Sequence, residues 1–280
     1  MTQGHSLENL KASIEAQLDA LDAHTTLYAK HLKSGREVAI RADEPVETLS
    51  IIKIPILILA YREAERGALD LEERYLVRPE DLRRGTGLLK TFVPGLQPTW
   101  RDLLTQMIIT SDNTATDIVL ARLGLERVNA LLEELGYGET RMQSTIGDFF
   151  RRRWEMVDPA HASLTHRQVY ERGFPTDPDA AARNFAHSAD PNEWLGRSTA
   201  REMARLLEQI HNAELTTEQY SEEMADILRQ QLYSSRLPQR LGLRVVIGHK
   251  TGDSPPIAGN DAGIIYAEGG EIAVAFFVTQ

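Results

Sequence analysis

Strand-like runs stand at both ends of this 280-residue chain, with helix-like runs filling the space between them. Near the start, "TTLYAKHLKSGREVAIRADE" (25–44) reads as two strands around a turn at Lys33-Ser34-Gly35-Arg36. Near the end, "LRVVIGHKTG" (243–252), "DAGIIYA" (261–267) and "EIAVAFFVTQ" (271–280) read as three more. This arrangement predicts an α/β (α+β) fold: an antiparallel sheet formed by both chain ends and flanked by helices, with an inserted all-α lobe. The expected division is a sheet domain of residues 1–46 plus 205–280 and an inserted helical domain of 47–204.

Within that frame, residues 7–22 read as an amphipathic helix, with Leu7, Leu10, Ile14, Leu18 and Leu21 at helical spacing. A long helix is expected from about Ser50 to a stop at Gly67. Residues 80–95 read as a loop around "RRGTGLL". Residues 99–124 read as two helices interrupted near Ser111, 125–136 as another with a glycine stop, 198–215 as a helix capped by Ser198, and 217–232 as one more. Residues 140–197 read as an extended loop, with Pro159, Pro175, Pro178 and Pro191. A loop of that length is more often functional than idle.

Composition narrows the partners. A hydrophobic share of 42% with 26% charged residues is that of a globular domain. A net charge of −10, spread along the chain, argues against nucleic acid or an anionic membrane surface. The absence of cysteine excludes disulfides and thiolate metal sites. The longest apolar run, 54–61, is too short for a membrane span. "MTQGHSLENLKASIEAQL" has no apolar core of the kind a signal peptide carries, so none is expected in this chain. A monomer without cofactors is the default expectation.

Against this background Lys53 is out of place. It stands inside the apolar run "TLSIIKIPILILAY" (48–61), three residues after Ser50. On a helix, positions i and i+3 share a face. Burial penalises an ammonium group and lowers its pKa, so such a lysine can act as a base on the serine. The plainer reading is a lysine whose stem lies along the core while its head reaches solvent. Two further clusters bear on the choice. Ser111-Asp112-Asn113 falls at the helix break, where a hydroxyl and an amide two residues apart suit a proton relay and a substrate amide, or simply a helix cap. His249-Lys250-Thr251-Gly252 ends a strand, where lysine and threonine can hold a carboxylate and glycine permits close backbone approach.

Ser-x-x-Lys, Ser-x-Asn and Lys-Thr-Gly, in that order and each on a suitable element, form the signature of class A β-lactamases and penicillin-binding proteins. The chain resembles the class A β-lactamase-like serine hydrolases over nearly its whole length apart from about 140–197. "GTGLL" followed by "TWRDLLTQMIITSDNTATDIVLARLG" and "STAREMARLLEQI" carry the likeness further. The resemblance implies that Ser50 is the acylated nucleophile, and that Lys53 takes its proton directly or through water. Ser111 would relay a proton to the leaving nitrogen and Asn113 would bind a substrate amide. Lys250 and Thr251 would hold the substrate carboxylate. The backbone N–H groups of Ser50 and Asp253 would form the oxyanion hole. It also implies a β-lactam or peptide-like substrate and a periplasmic or secreted location.

Three departures stand out. In class A enzymes a glutamate after the Ser-Asp-Asn region activates the deacylating water. Here the expected place holds Ile146. Arg153-Trp154-Glu155 looks like that glutamate's local context, which makes Glu155 the candidate base, with Asp148 and Glu193 as alternatives; a solvated surface charge is the competing reading of Glu155. The stretch from Ser111 to Lys250 is longer than in the family, the excess falling mostly in 145–195. Ala262 stands where the strand after Lys-Thr-Gly often carries a carboxylate-binding arginine, with Arg236 or Arg240 as substitutes from elsewhere. Family members also add a helix after the last strand. The expected function is a class A-type β-lactamase acting through an acyl-enzyme. The alternatives are a penicillin-binding or sensor protein that deacylates slowly, or a D-amino-acid peptidase or esterase. Of the smaller signals, His161 and His166 read against a metal pair, His249 as a packed strand histidine, and Trp154 and Trp194 as anchors of the long loop.

Overall fold

The computed structural model describes residues 7–93, 95–242 and 245–280. The first six residues, and the first two of the strand expected at 243–252, lie outside the described residues. In chain order, α1 (Leu7–Asp19) precedes the hairpin of β1 (His24–His31) and β2 (Glu37–Ile40). β3 (Val46–Glu47) leads into a 3-10 turn over Leu49–Ile52, and α2 (Lys53–Glu65) continues from it without a break. Next come α3 (Trp100–Ile109), α4 (Asn113–Leu123), α5 (Leu125–Glu134) and β4 (Arg141–Met142). After these stand α6 (Ile146–Glu155), α7 (His166–Arg172), α8 (Ala180–Ala189) and β5 (Gly196–Ser198). The chain finishes with α9 (Ala200–His211), α10 (Glu218–Arg229), β6 (Val246–Ser254), β7 (Ala258–Ala267) and β8 (Gly270–Thr279).

The five-stranded sheet has the order β2-β1-β8-β7-β6, antiparallel at every pairing. The two chain ends meet at its centre, where Tyr28 faces Ala275 and Leu27 faces Phe276. Ala273, Ala275, Phe277 and Ile264 point into the core with Met203, Leu206 and Leu207 of α9. A second small sheet, β3-β5-β4, ties the segment leading to Ser50 to the far end of the long insertion.

Residues 140–197 are not an extended loop. They hold α6, α7, α8 and a 3-10 turn over Pro159–Ser163. The prolines mark boundaries: Pro159 opens its turn, where a missing N–H costs nothing, Pro175 and Pro178 fall between α7 and α8, and Pro191 between α8 and β5. Thr145 and Thr165 cap α6 and α7, accepting from the backbone N–H of Asp148 and Gln168. The cap of α9 is likewise Thr199, which accepts from the Glu202 N–H; Ser198 instead ends β5, its hydroxyl bonded to that of Thr140.

The seam that matters is between β6 and the 3-10 turn. A Cβ at Gly252 would stand 2.5 Å from the Thr48 carbonyl oxygen and 3.2 Å from the Ser50 nitrogen. Only glycine lets the strand lie this close to the backbone at Ser50. Gly252→Ala is therefore expected to lower stability by about 1–3 kcal/mol, measured by denaturant unfolding. An unchanged midpoint would contradict the packing described.

Candidate active site

Ser50 sits in the 3-10 turn, and Lys53 begins α2 one turn later. In a 3-10 turn residues i and i+3 eclipse, so both side chains leave on one side. They diverge in surroundings. Ser50 opens onto a cleft of about 600 Å³, and its hydroxyl has no hydrogen-bond partner among the described residues. Lys53 is fully buried. Its Nζ donates to the Ser111 carbonyl (2.8 Å), to Ser111 Oγ (3.1 Å) and to Asn113 Oδ1 (2.9 Å). There is no direct Ser50–Lys53 hydrogen bond.

Ser111 is the meeting point. Lys250, equally buried, donates from the strand side to Ser111 Oγ at 3.0 Å and to the Thr251 carbonyl at 2.7 Å. One hydroxyl oxygen thus lies within hydrogen-bond reach of two lysine nitrogens brought from distant parts of the chain. Two ammonium groups so placed repel each other, and burial penalises both charges. Burial pulls Lys53 down to about 7, against the counter-pull of Asp112 and Asp117. Lys250 lies well below the ordinary lysine value, through burial first and the charge of Lys53 second. A neutral amine is therefore within reach near neutral pH, and it is the form that accepts a proton.

The turn holding Ser111 is locked from the 83–89 loop. Ser111 adopts a left-handed backbone (φ 52°), unusual for a residue with a side chain. Its carbonyl accepts from Thr86 Oγ1 (2.7 Å), and the Thr86 carbonyl accepts from the Asn113 N–H (3.2 Å). Asp112 is the helix cap, its carboxylate taking the N–H groups of Ala115 and Leu89. Within the triplet Asp112 is the cap, while Ser111 and Asn113 face Lys53. Asn113 also donates to the Arg84 carbonyl at 2.9 Å, which leaves one amide N–H uncommitted.

At the strand side, Thr251 lines the cleft, as does Asp253, whose carboxylate is paired with Arg236. Ala262 faces Lys250 across the sheet and is buried. Of the two substitute arginines, Arg236 borders the cleft and Arg240 does not. His249 is a packed strand histidine, with Nδ1 2.8 Å from the buried Asp261 carboxylate. Among the described residues no cluster of His, Asp and Glu could hold a metal ion. Trp154 and Trp194 anchor the insertion through bonds to the Gly173 and Ser188 carbonyls.

Glu155 stands away from the cleft, not in it as the local likeness around Arg153 suggests. The cleft face of α6 carries Ile146, Phe149, Phe150 and Arg153, at helical spacing. Glu155 falls on the opposite face with Asp148, and both carboxylates pair with Arg151. Asp148 also holds His166 Nε2 and Thr145 Oγ1, which keep it well below the usual carboxylate range. Glu193 pairs with Arg152 at 3.1 Å. None of the three lines the cleft.

Two acids had no motif to announce them. Asp117 accepts the backbone N–H groups of Ile146 (2.8 Å) and Gly147 (2.9 Å) together with Arg83 Nε (2.6 Å), fixing the start of α6 against α4. Glu47 is buried in β3, which pairs with β5, and is pushed up to about 7 by that burial, with one long hydrogen bond from the Leu195 N–H (3.4 Å). A carboxylate three residues before Ser50 is visible in the sequence, but its burial is not.

A free serine hydroxyl, backed by a second serine wedged between two buried lysines at the seam of a sheet and a helical lobe, defines a serine–lysine site. A model of the β-lactamase enzyme family matches residues 9–280, and the chain belongs to that family. The chain is similar to β-lactamase L2 of Stenotrophomonas maltophilia, 33% identical over 109 residues, which is 39% of this chain and about a third of that relative (36%). Among solved structures it resembles PBP-A, with TM-score 0.78 and 24% identity over 98% of this chain and 88% of that one. It also resembles the β-lactamase from Sphaerobacter thermophilus DSM 20745, with TM-score 0.75 and 23% identity over 96% and 88%. At these identities the two structures attest the fold.

Asp117→Asn is expected to lower stability by about 2–3 kcal/mol, since it unpairs Arg83 and weakens the cap of α6. Urea unfolding measures it. A loss under about 0.5 kcal/mol, the usual effect of a surface change, would contradict the capping role.

Proposed function

We propose that the chain is a serine acyl-transfer enzyme that opens β-lactam amides at Ser50 and releases the acyl group slowly. The observation that carries this reading is a mismatch within one cleft. It has a nucleophile backed by lysines poised to take a proton, while its α6 wall offers Ile146, Phe149, Phe150 and Arg153, with no carboxylate. Asp253 is the one acid among the described lining residues, and it is paired with Arg236.

The positions suggest the order of events. Ser50 Oγ attacks the lactam carbonyl carbon, and its proton passes to neutral Lys53, directly or by way of Ser111 or a water. The carbonyl oxygen gains charge, which the N–H groups of Ser50 and Asp253 stabilise. The C–N bond breaks, and the ring nitrogen takes a proton from Ser111 Oγ, which Lys53 resupplies. The net change is an ester at Ser50 and one proton moved from Ser50 to the nitrogen. Thr251 receives the substrate carboxylate, joined by Arg236 as it leaves its pair with Asp253, with buried Lys250 adding its field from behind. Hydrolysis of the ester needs a base for water, a role typically worth about 10²–10⁴-fold in rate. No acid on α6 supplies it. Full β-lactamase turnover is the second reading, favoured by Lys53 itself, which is neutral again once the nitrogen has its proton.

The test is incubation with benzylpenicillin and a chromogenic cephalosporin, following intact mass and turnover together. The expected result is a stoichiometric adduct on the wild type that persists for many minutes, and none on Ser50→Ala. Rapid turnover without a persistent adduct favours the second reading; no adduct and no turnover overturns both. Because the neutral form of Lys53 accepts the proton, the acylation rate should rise with pH through about 7 and level off above it. A rate independent of pH between about 5.5 and 8.5, a window spanning the shifted lysine and far below its ordinary value, would contradict Lys53 as acceptor.

A further inference from the structure

Arg153 is the cation on the cleft wall that the acylation chemistry leaves unused. Its guanidinium carbon lies 4.9 Å from the Phe149 ring centre, 5.6 Å from Phe150 and 6.0 Å from Phe174. These rings hold the group by its charge and its faces but offer no hydrogen-bond acceptor. Arg153 Nε is buried without a partner, and no described residue forms a hydrogen bond or ion pair with the rest of the group. The neighbouring arginines of the insertion side behave differently: Arg83 and Arg151 each pair with a carboxylate. The acid whose charge Arg153 feels is Glu47, which stands beyond ion-pair distance. Burial keeps that carboxyl partly protonated near neutral pH, so it compensates Arg153 only in part.

A guanidinium carries five N–H donors in a planar fork, and leaving them unmet costs about 1–3 kcal/mol. Nearby rings fix the group without quenching it, so the fork is open to an acceptor that arrives with the ligand. A planar carboxylate matches it in a two-point contact. The α6 wall and the strand-side wall with Thr251 and Arg236 come from separate elements, so the two cationic points serve different parts of one bound molecule.

We propose that Arg153 is a second anion-recognition point of the cleft, selecting substrates that carry a carboxylate on the acyl side chain in addition to the one received near Thr251. This deepens the acyl-transfer reading and rests on it. The preferred substrate is then doubly anionic: a β-lactam or acyl-D-amino-acid compound with an acidic acyl group. The phenyl rings around Arg153 also favour an aromatic or aliphatic spacer next to that acid.

Carbenicillin and benzylpenicillin differ by one side-chain carboxylate and provide the test. Second-order acylation rates at Ser50 are measured by intact mass on the full chain, each divided by the compound's own hydroxide hydrolysis rate. The wild type should favour carbenicillin by about tenfold or more, as expected for a charge-assisted bond. Arg153→Gln should bring the ratio close to one, and Arg153→Lys, which keeps the charge and loses the fork, should give an intermediate value. Circular dichroism checks folding, and if Arg153→Gln does not fold, a lowered ratio in Arg153→Lys is the required result. A wild-type ratio near or below one, or a preference that survives substitution in folded protein, overturns the inference while leaving acylation standing. If neither compound modifies Ser50, the acyl-transfer reading and the inference fall together.

Discussion

The oxygen of Ser111, shared between the nitrogens of Lys53 and Lys250, is the contact on which the rest of the site depends. It joins α2, the α3–α4 turn and β6 at a single atom. Two buried ammonium groups around one hydroxyl would be a costly arrangement, and the protein relieves it by lowering the proton affinity of both. Burial above all, with the charge of Lys53 adding to it at Lys250, is thus what keeps a base available at neutral pH. Conformational strain stands beside it. Leu49 and Ser111 both hold left-handed backbones, at φ 48° and 52°, one next to Ser50 and one between the two lysines. Such residues cost on the order of 1–3 kcal/mol each and persist only where the surroundings over-determine them.

The surroundings do so on each side. Thr86, Asn113 and Asp112 stitch the 83–89 loop to the Ser111 turn, and a Cβ on Gly85 would come within 2.6 Å of the Asn113 amide. Gly252 allows β6 to press against the turn of Ser50. The same contacts hold the Ser50 turn beside Ser111 and the two lysines, the geometry that the proposed acylation requires. Water that attacks the ester needs its own base, and α6 presents an apolar and cationic face at that place. A cleft can therefore be well built for the first half of an acyl transfer and poorly equipped for the second.

Much of this is legible in the sequence, for reasons that differ residue by residue. Lys53 stands out because an ammonium in an apolar run demands an explanation. The sheet from both chain ends is implied by strand patterns flanking helical ones. Ser111, Asn113 and Lys250 become credible through their joint order, since each alone has an ordinary structural reading. Residues 140–197 read as a loop because of their prolines, yet these sit at helix starts and gaps, and the threonine caps carry the real signal. Glu155 reads as a cleft residue because local likeness around Arg153 gives no helical phase. Once α6 begins at Ile146, residues 149, 150 and 153 face the cleft and 155 cannot. Asp117, Glu47 and the unpaired state of Arg153 depend on contacts between distant segments, which a linear pattern does not contain.

The most direct test of the central claim is a titration of the lysine side-chain nitrogens by 15N NMR in folded protein, with Lys53→Met and Lys250→Met as assignment controls. Lys53 is expected to lose its proton near about 7 and Lys250 to titrate well below the ordinary lysine value, with Lys250 shifting upward when Lys53 is replaced. Two independent lysine titrations near about 10.4 would contradict it.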